Sequence, residues 1–319
     1  MIDSKYRKLN NGLKIPIIGL GTTTIMGIGA GGIMGSTGKK NIEEIVYQSI
    51  KNGTRLIDTA TKYDNEVEIG KGIKRAINEG IIKREDLFII TKMWPTEKDE
   101  PEKTLKNSLS KLQLDYIDLY LDHWPLSKCY NGKEDFKWVS IKDLWPKMEK
   151  LVEQGLAKSI GVSNYNVQNL LNLLSICKIK PVVNEVEFHP YLYQKYLKEF
   201  CDKEDIQIVA YYPLIKGVNF RTRYEKIMKE KNTDLFNEEI VKNLAKKYGK
   251  SVGQIILNWH IHLGIIPIPG TSNPERMKEN LDSANFKMEE NDIQELCSFE
   301  NKQYRFCDGV GIFGINMFA

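Results

Sequence analysis

RLIDTA at residues 55–60, EIGKGIKRAI at 68–77, LFIITK at 87–92, EKTLKNSLSKL at 102–112 and YIDLYLDH at 116–123 decide the fold. The first, third and fifth are short apolar runs that read as buried strands. The second and fourth carry apolar residues at helical spacing. The same alternation continues outward. Strand-like runs recur as IPIIGLG (15–21), KSIGVSN (158–164), VVNEVE (182–187), IQIVAYYPL (206–214) and GIIPIPG (264–270). Helical patterns stand among them at 42–50, 144–155 and 168–174. Eight strands alternating with helices predict a parallel sheet with crossover helices, closed as one (β/α)8 TIM barrel over residues 1–319.

Local punctuation supports this frame. Asn273 before Pro274 reads as a helix N-cap followed by proline at the first helical position, and Ser251 with Gln254 reads as a capping box. YRKLNNGLKIP (6–16) places Asn-Gly between two extended runs and predicts a hairpin that plugs the bottom of the barrel. Three stretches break the repeat: Thr22–Lys40, Lys216–Asn237 and the tail Asn301–Ala319. All three are expected over the C-terminal face. The tail's Phe306, Ile312, Phe313, Met317 and Phe318 make it too apolar for a solvated linker, which favours its packing over a pocket.

The 319 residues are 41% apolar, and 46 basic against 42 acidic residues leave a net charge of only +4. That balance gives no broad cationic field and argues against a nucleic-acid partner. Five scattered cysteines without a CxxC pair point to a reduced, cytoplasmic protein. No apolar run approaches the roughly 18 residues of a membrane span. His260 and His262, two apart on a helix, make a poor metal pair, His189 reads as structural, and no metal is expected.

Barrel strands all end on one face, so residues distant in the chain meet there. Asp58 and Tyr63 follow RLID, Lys92 closes LFIITK, and His123 closes YIDLYLDH. A phenol of ordinary pKa about 10 donates protons poorly near neutrality unless a nearby ammonium stabilises its phenolate. Tyr, Lys, Asp and His converging on one mouth therefore suggest a tuned proton donor. GIGAGG at 27–32 matches a dinucleotide fingerprint, but no helix follows it at once and position 51 is lysine. It reads as a loop.

GLGT (19–22), DTATKYDNE (58–66), TK (91–92), HWP (123–125), GVSN (161–164), NEVEFHPYL from Asn184 and RMKEN (276–280) occur in an order that resembles the aldo-keto reductases over nearly the whole chain. The resemblance implies a (β/α)8 barrel that binds NADPH (with NADH possibly tolerated) without a Rossmann domain and reduces an aldehyde or ketone. It implies Tyr63 as general acid, Lys92 lowering its pKa, Asp58 holding Lys92, and His123 orienting the carbonyl. It places Thr22 and Thr23 near the nicotinamide ribose, Ser163 and Asn164 on the carboxamide, and Tyr211 against the ring. Leu214, Thr271, Ser272, Arg276, Glu279 and Asn280 complete the cofactor set. Taken alone, Ser163 and Asn164 are equally good helix caps. Glu279 and Asn280 fit a solvated helix as well as an adenine contact.

Three positions depart from the family pattern. Glu185 stands where glutamine is usual, and an ionised carboxylate there would favour the oxidised nicotinamide. Gly270 stands where many relatives have the lysine that meets the 2′-phosphate. Arg276, the Thr271 and Ser272 hydroxyls and the helix end after Asn273 are left to hold that anion, predicting a weakened NADPH preference. Tyr212 replaces a common serine. Trp94, Trp124, Phe313 and Phe318 suggest an apolar pocket for a small carbonyl substrate. A cofactor-binding regulatory or structural protein of the same fold, like channel β subunits or crystallins, is the alternative. A phosphate-binding isomerase barrel is a second. Oligomeric state, monomer or dimer, is left open.

Overall fold

The computed structural model describes residues 5–23, 41–126, 138–215, 230 and 234–318; of Gly311 and Ile312 only the backbone is described. The expected loop over GIGAGG, most of the 216–237 stretch, Cys129 and the Ile312 side chain lie outside the described residues. Strands β1 (Tyr6–Lys8) and β2 (Lys14–Pro16) form the antiparallel hairpin, with Gly12 at φ +86° in its turn. Eight parallel strands follow: β3 (Leu20–Gly21), β4 (Leu56–Asp58), β5 (Phe88–Met93), β6 (Leu119–Asp122), β7 (Ile160–Ser163), β8 (Val183–Glu187), β9 (Gln207–Tyr211) and β10 (Ile266–Pro267). They lie side by side in chain order.

The first and last strands meet. Gly19 donates its N–H to Pro267 O at 3.0 Å and Gly21 donates to Pro269 O at 3.4 Å, which closes the sheet into a barrel. Glycine is required at this seam, because a Cβ on Gly21 would stand 2.5 Å from Ile268 O and one on Gly19 2.5 Å from the Leu56 side chain.

Side chains alternate across each strand. Leu56, Phe88, Ile90, Leu119, Leu121, Val183, Val209 and Ile266 point inward and form a core of their own, joined by Leu9 and Ile15 of the hairpin. The hairpin thus stoppers the barrel's lower end as expected. The intervening residues, among them Ile57, Ile89, Tyr120, Val162, Val186 and Ile208, face outward into the larger core beneath the helices. Each such side chain, fully buried, is worth about 1.5–3 kcal/mol.

Among the described residues the α-helices are α1 (Ile42–Lys51), α2 (Glu66–Asn78), α3 (Pro101–Leu112), α4 (Ile141–Glu153), α5 (Val167–Leu174), α6 (Lys195–Lys203), α7 (Glu239–Tyr248), α8 (Val252–His262), α9 (Pro274–Asp282), α10 (Glu290–Cys297) and α11 (Val310–Phe313), joined by short 3-10 turns. Caps fall where local sequence puts them. Asn273 accepts from Glu275 N and Arg276 N, and Ser251 and Gln254 form their capping box. Among the described residues no helix is long and apolar enough to cross a membrane.

Candidate active site

On the inward face of β5 the series Phe88, Ile90, Lys92 brings a lysine to the level where the apolar interior ends. Its ammonium is fully buried, a position a charge occupies only when paired. Lys92 Nζ is ion-paired with Asp58 Oδ1 at the end of β4, donates to Thr59 O at 3.0 Å, and lies 3.2 Å from Glu185 Oε1 on β8. Burial works against this charge, but Asp58 and Glu185 outweigh it and hold the pKa above that of an ordinary lysine.

Tyr63 ends the 3-10 turn Thr61–Tyr63 and is half-buried, with its ring centroid 5.2 Å from Lys92 Nζ. His123 follows β6 and meets the Tyr63 ring edge-on at 5.7 Å. The four residues expected to converge do so. The expected lowering of the phenol pKa is not found. Burial pushes Tyr63 up to about 12, with Asp58 and Glu185 adding to the rise, while Lys92 and a hydrogen bond from Thr23 oppose it. Two carboxyls share one ammonium here and offset part of its field at the phenol, so burial prevails. His123 is neutral: burial, then Lys92 and Lys62, hold its pKa well below the ordinary value, and its Nδ1 has no hydrogen-bond partner among the described residues.

An aromatic wall stands beside this cluster. Trp94 meets His123 edge-on at 5.1 Å, and Phe313 from the tail stacks on Trp94 at 5.4 Å and meets Trp124 at 5.3 Å. Phe318 lies 6.4 Å from Trp124. The tail therefore packs on the aromatic residues beside the cluster, and its apolar composition is accounted for there.

The remaining expected positions divide into two groups. Ser163 and Asn164 do not cap α5, whose cap is Asn166. Ser163 Oγ donates to Glu185 O at 2.8 Å, Asn164 Nδ2 donates to His123 O at 2.9 Å, and Tyr211 OH donates to Asn164 Oδ1 at 2.8 Å. Asn164 adopts φ +65°, which asparagine tolerates better than most residues. Thr22 Oγ1 donates to Asp58 O at 2.8 Å inside the wall, whereas Thr23 is exposed at the rim. Leu214 is half-buried against the core, and Tyr212, at φ +57°, faces Phe306 of the tail at 6.0 Å.

Thr271, Ser272, Arg276, Glu279 and Asn280 lie apart from this cluster, at the start of α9 and along it. Thr271 Oγ1 accepts from Asn273 N at 3.2 Å, Ser272 and Arg276 are exposed, and Glu279 and Asn280 are half-buried. Among the described residues Arg276 has no carboxylate partner. The expectation that this helix end presents open N–H groups to an anion needs correction. Pro274 has none, Asn273 Oδ1 takes those of Glu275 and Arg276, and Asn273 O takes that of Met277. The Arg276 charge and the Ser272 hydroxyl remain. Glu185 also differs from its expected part: its carboxyl turns to Lys92, and burial and then Asp58 push its pKa well above the ordinary value.

The sequence and fold have close counterparts. A family model described as Aldo/keto reductase family matches residues 18–301. The chain belongs to the aldo/keto reductase family. Aldose reductase C of Dictyostelium discoideum is 40% identical, the match covering 96% of this chain and 92% of that protein. The NADH-dependent D-xylose reductase of Candida parapsilosis is 38% identical, covering 92% and 91%. Among solved structures, a Bombyx mori aldo-keto reductase in complex with NADP superimposes with a TM-score of 0.85 at 34% identity, covering 97% of each chain. An aldo-keto reductase complexed with NADPH gives 0.87 at 30% identity, covering 98% of this chain and 92% of that one.

Beside its family motifs the chain carries buried supports that the sequence reading did not single out. Asn65 donates to Thr22 Oγ1 at 3.1 Å and accepts from Thr59 Oγ1 at 2.7 Å, tying the β3 and β4 ends together behind Asp58. Lys98 bonds Asp122 Oδ2 at 2.8 Å and Trp124 O at 2.7 Å, and Tyr165 OH donates to the same Asp122 oxygen at 2.7 Å. Glu187, two residues beyond Glu185, accepts the backbone N–H groups of Phe306 and Cys307 and so anchors the tail. Its position in NEVEFHP is legible. Its partner, more than a hundred residues later, is not.

Proposed function

We propose that this chain is a cytoplasmic, single-domain enzyme that reduces the carbonyl of a small aldehyde or ketone to an alcohol with NADPH, Tyr63 supplying the proton. The observation that carries this reading is the buried Lys92 ammonium, paired with Asp58 and set 5.2 Å from the ring of Tyr63 at the strand ends. A reduced nicotinamide, when bound, supplies the hydride. Ser163, Asn164, Tyr211 and Thr23 are the residues placed to hold that end of it, and Arg276 with Ser272 the 2′-phosphate. The ring of Tyr211, tethered through its hydroxyl to Asn164, offers a flat face for the nicotinamide.

Charge develops on the carbonyl oxygen as hydride reaches carbon, so a positioned donor must neutralise it. Tyr63 is protonated across the neutral range, as an acid must be, and a neutral His123 has one N–H to give the same oxygen. Trp94, Trp124 and Phe313 exclude water from the reacting centre. Names of relatives that act on aldose and xylose support a carbonyl substrate without fixing which. The test is loss of NADPH absorbance over a panel of aldehydes and ketones, run beside Tyr63→Phe. Turnover in the native chain and its loss of 100-fold or more in the variant, on the order expected for a general acid, supports the reading. Saturable NADPH binding with no turnover favours a cofactor-binding regulatory protein instead.

A further inference from the structure

A second carboxyl, Glu185, stands against the ammonium at the centre of the site, and the proton donation just described does not require it. An ammonium has three N–H groups. Around Lys92 Nζ stand three oxygens, from Asp58, Thr59 and Glu185, the last at 3.2 Å. None of the three N–H groups is left for the Tyr63 hydroxyl, and among the described residues Lys92 makes no hydrogen bond to it. Glu185 is held there by its own strand: its backbone oxygen accepts from Ser163 Oγ and from Asn164 N at 2.9 Å, and it pairs with Ser163 on β7 and Val209 on β9. The Asp58 and Glu185 carboxyls act on each other as well as on the ammonium, and burial holds both above the ordinary carboxylate range.

We propose that Glu185 is a positioning residue that engages the third N–H of Lys92, keeps the Tyr63 phenol protonated, and thereby sets the pH range in which the site works. The inference rests on the reading that Tyr63 is the proton donor. The titratable groups facing this pair are Asp58 from β4, Lys92 from β5, His123 after β6, Lys62 on the 3-10 turn and Tyr211 from β9. In reduction the phenol gives its proton to the carbonyl oxygen. In the reverse reaction an alcohol gives its O–H proton to the Tyr63 phenolate and its C–H hydride to the oxidised dinucleotide, so the rate follows the phenolate fraction. Glu185 leaves the equilibrium of the reaction untouched and moves only the pH at which each direction runs.

Alcohol oxidation with NADP+ is to be followed from about pH 6 to 10, up to the range where ordinary tyrosines and lysines titrate. Wild type is expected to climb about tenfold per pH unit with no plateau. Glu185→Gln, which removes the titratable group but keeps an acceptor, is expected to level off within that range. At about pH 8 it should run about tenfold faster for each unit by which its midpoint falls. Glu185→Met, which leaves Lys92 an N–H for the phenol, should level off at lower pH still. Fluorescence titration with NADP+ at each pH separates these effects from binding. A Glu185→Gln profile superimposed on wild type with binding intact overturns the proposal. So does a wild-type plateau below about pH 9, which needs no variant to fold. Absence of carbonyl reduction in wild type, or equal activity in Tyr63→Phe, overturns the underlying reading instead.

Discussion

Glu187 Oε1 accepts the backbone N–H of Phe306 at 2.8 Å, 119 residues along the chain, and its Oε2 accepts that of Cys307 at 2.7 Å. The side chain is fully buried, so both N–H groups would otherwise be left without water. Replacing Glu187 with glutamine leaves one acceptor and turns an amide donor toward a donor. The tail is expected to loosen by about 1.5–3 kcal/mol, the worth of a hydrogen bond to a charged group. Limited proteolysis should cut between residues 303 and 319 sooner in the variant, with KM for an apolar aldehyde raised. Equal proteolysis rates would show that aromatic packing alone holds the tail.

Phe313 is the tail residue that closes the aromatic wall. Phe313→Ala removes its contacts with Trp94 and Trp124, and core phenylalanine truncations cost about 3–5 kcal/mol where the surroundings cannot collapse. Because the loss is confined to the tail, the urea midpoint of the barrel should move little. The KM for a bulky aromatic aldehyde should rise at least tenfold relative to that for a small one. A uniform fall in kcat for both would count against a pocket role.

The proposed 2′-phosphate contact rests on the Arg276 charge and the Ser272 hydroxyl, since the first-turn N–H groups of α9 are already bonded. Arg276→Ala should weaken NADPH binding by about ten- to a hundredfold, the equivalent of about 1.5–3 kcal/mol, and leave NADH nearly unchanged. Fluorescence titrations of both nucleotides give the comparison. Equal losses would place the arginine's contact elsewhere on the dinucleotide.

The barrel seam is tested by Gly21→Ala. The new methyl would stand 2.5 Å from a backbone oxygen, which cannot swing aside as a side chain can. Overpacking of this kind costs about 1–3 kcal/mol and here should reach at least the upper end. Urea denaturation followed by circular dichroism reads the change. An unshifted midpoint would mean that the first and last strands tolerate separation.

His260 makes stability depend on pH. Burial depresses its pKa to about 4, and both ring nitrogens face carbonyls, Ile256 O at 2.8 Å and Phe188 O at 2.9 Å. The folded value lies below the unfolded value near 6.5, so the unfolded chain binds the extra proton between them. The contribution is complete above about pH 6.5 and is lost as the pH falls toward about 4. At pH 5 the loss is about 2 kcal/mol relative to pH 7. A His260→Asn variant should lose less on the same descent; an identical loss would assign the acid sensitivity to other groups.

Elements set by neighbouring residues were legible in the sequence. Asn273 and Ser251 announce their helices because capping is satisfied within three residues, and the eight strands are short apolar runs with nowhere else to bury. Asp58, Tyr63, Lys92 and His123 were legible because a barrel brings strand ends together whatever lies between. The acidity of Tyr63 was not. It is set first by burial, which Lys92 opposes and Asp58 and Glu185 reinforce. Closed N–H groups on α9 escaped notice because an N-cap that satisfies the helix also removes donors from a ligand. The role of Glu187 was missed because its partners in the tail are main-chain groups, which leave no trace in side-chain patterns.

Besides its contact with His189 Nε2 at 3.0 Å, Glu187 holds the tail through peptide N–H groups alone, so the clamp is indifferent to what residues 306 and 307 are, proline excepted. Mutation can therefore rewrite the tail's pocket-facing residues while the segment stays moored over the barrel mouth. Selectivity for new carbonyl compounds can drift in this lineage without first undoing the closure.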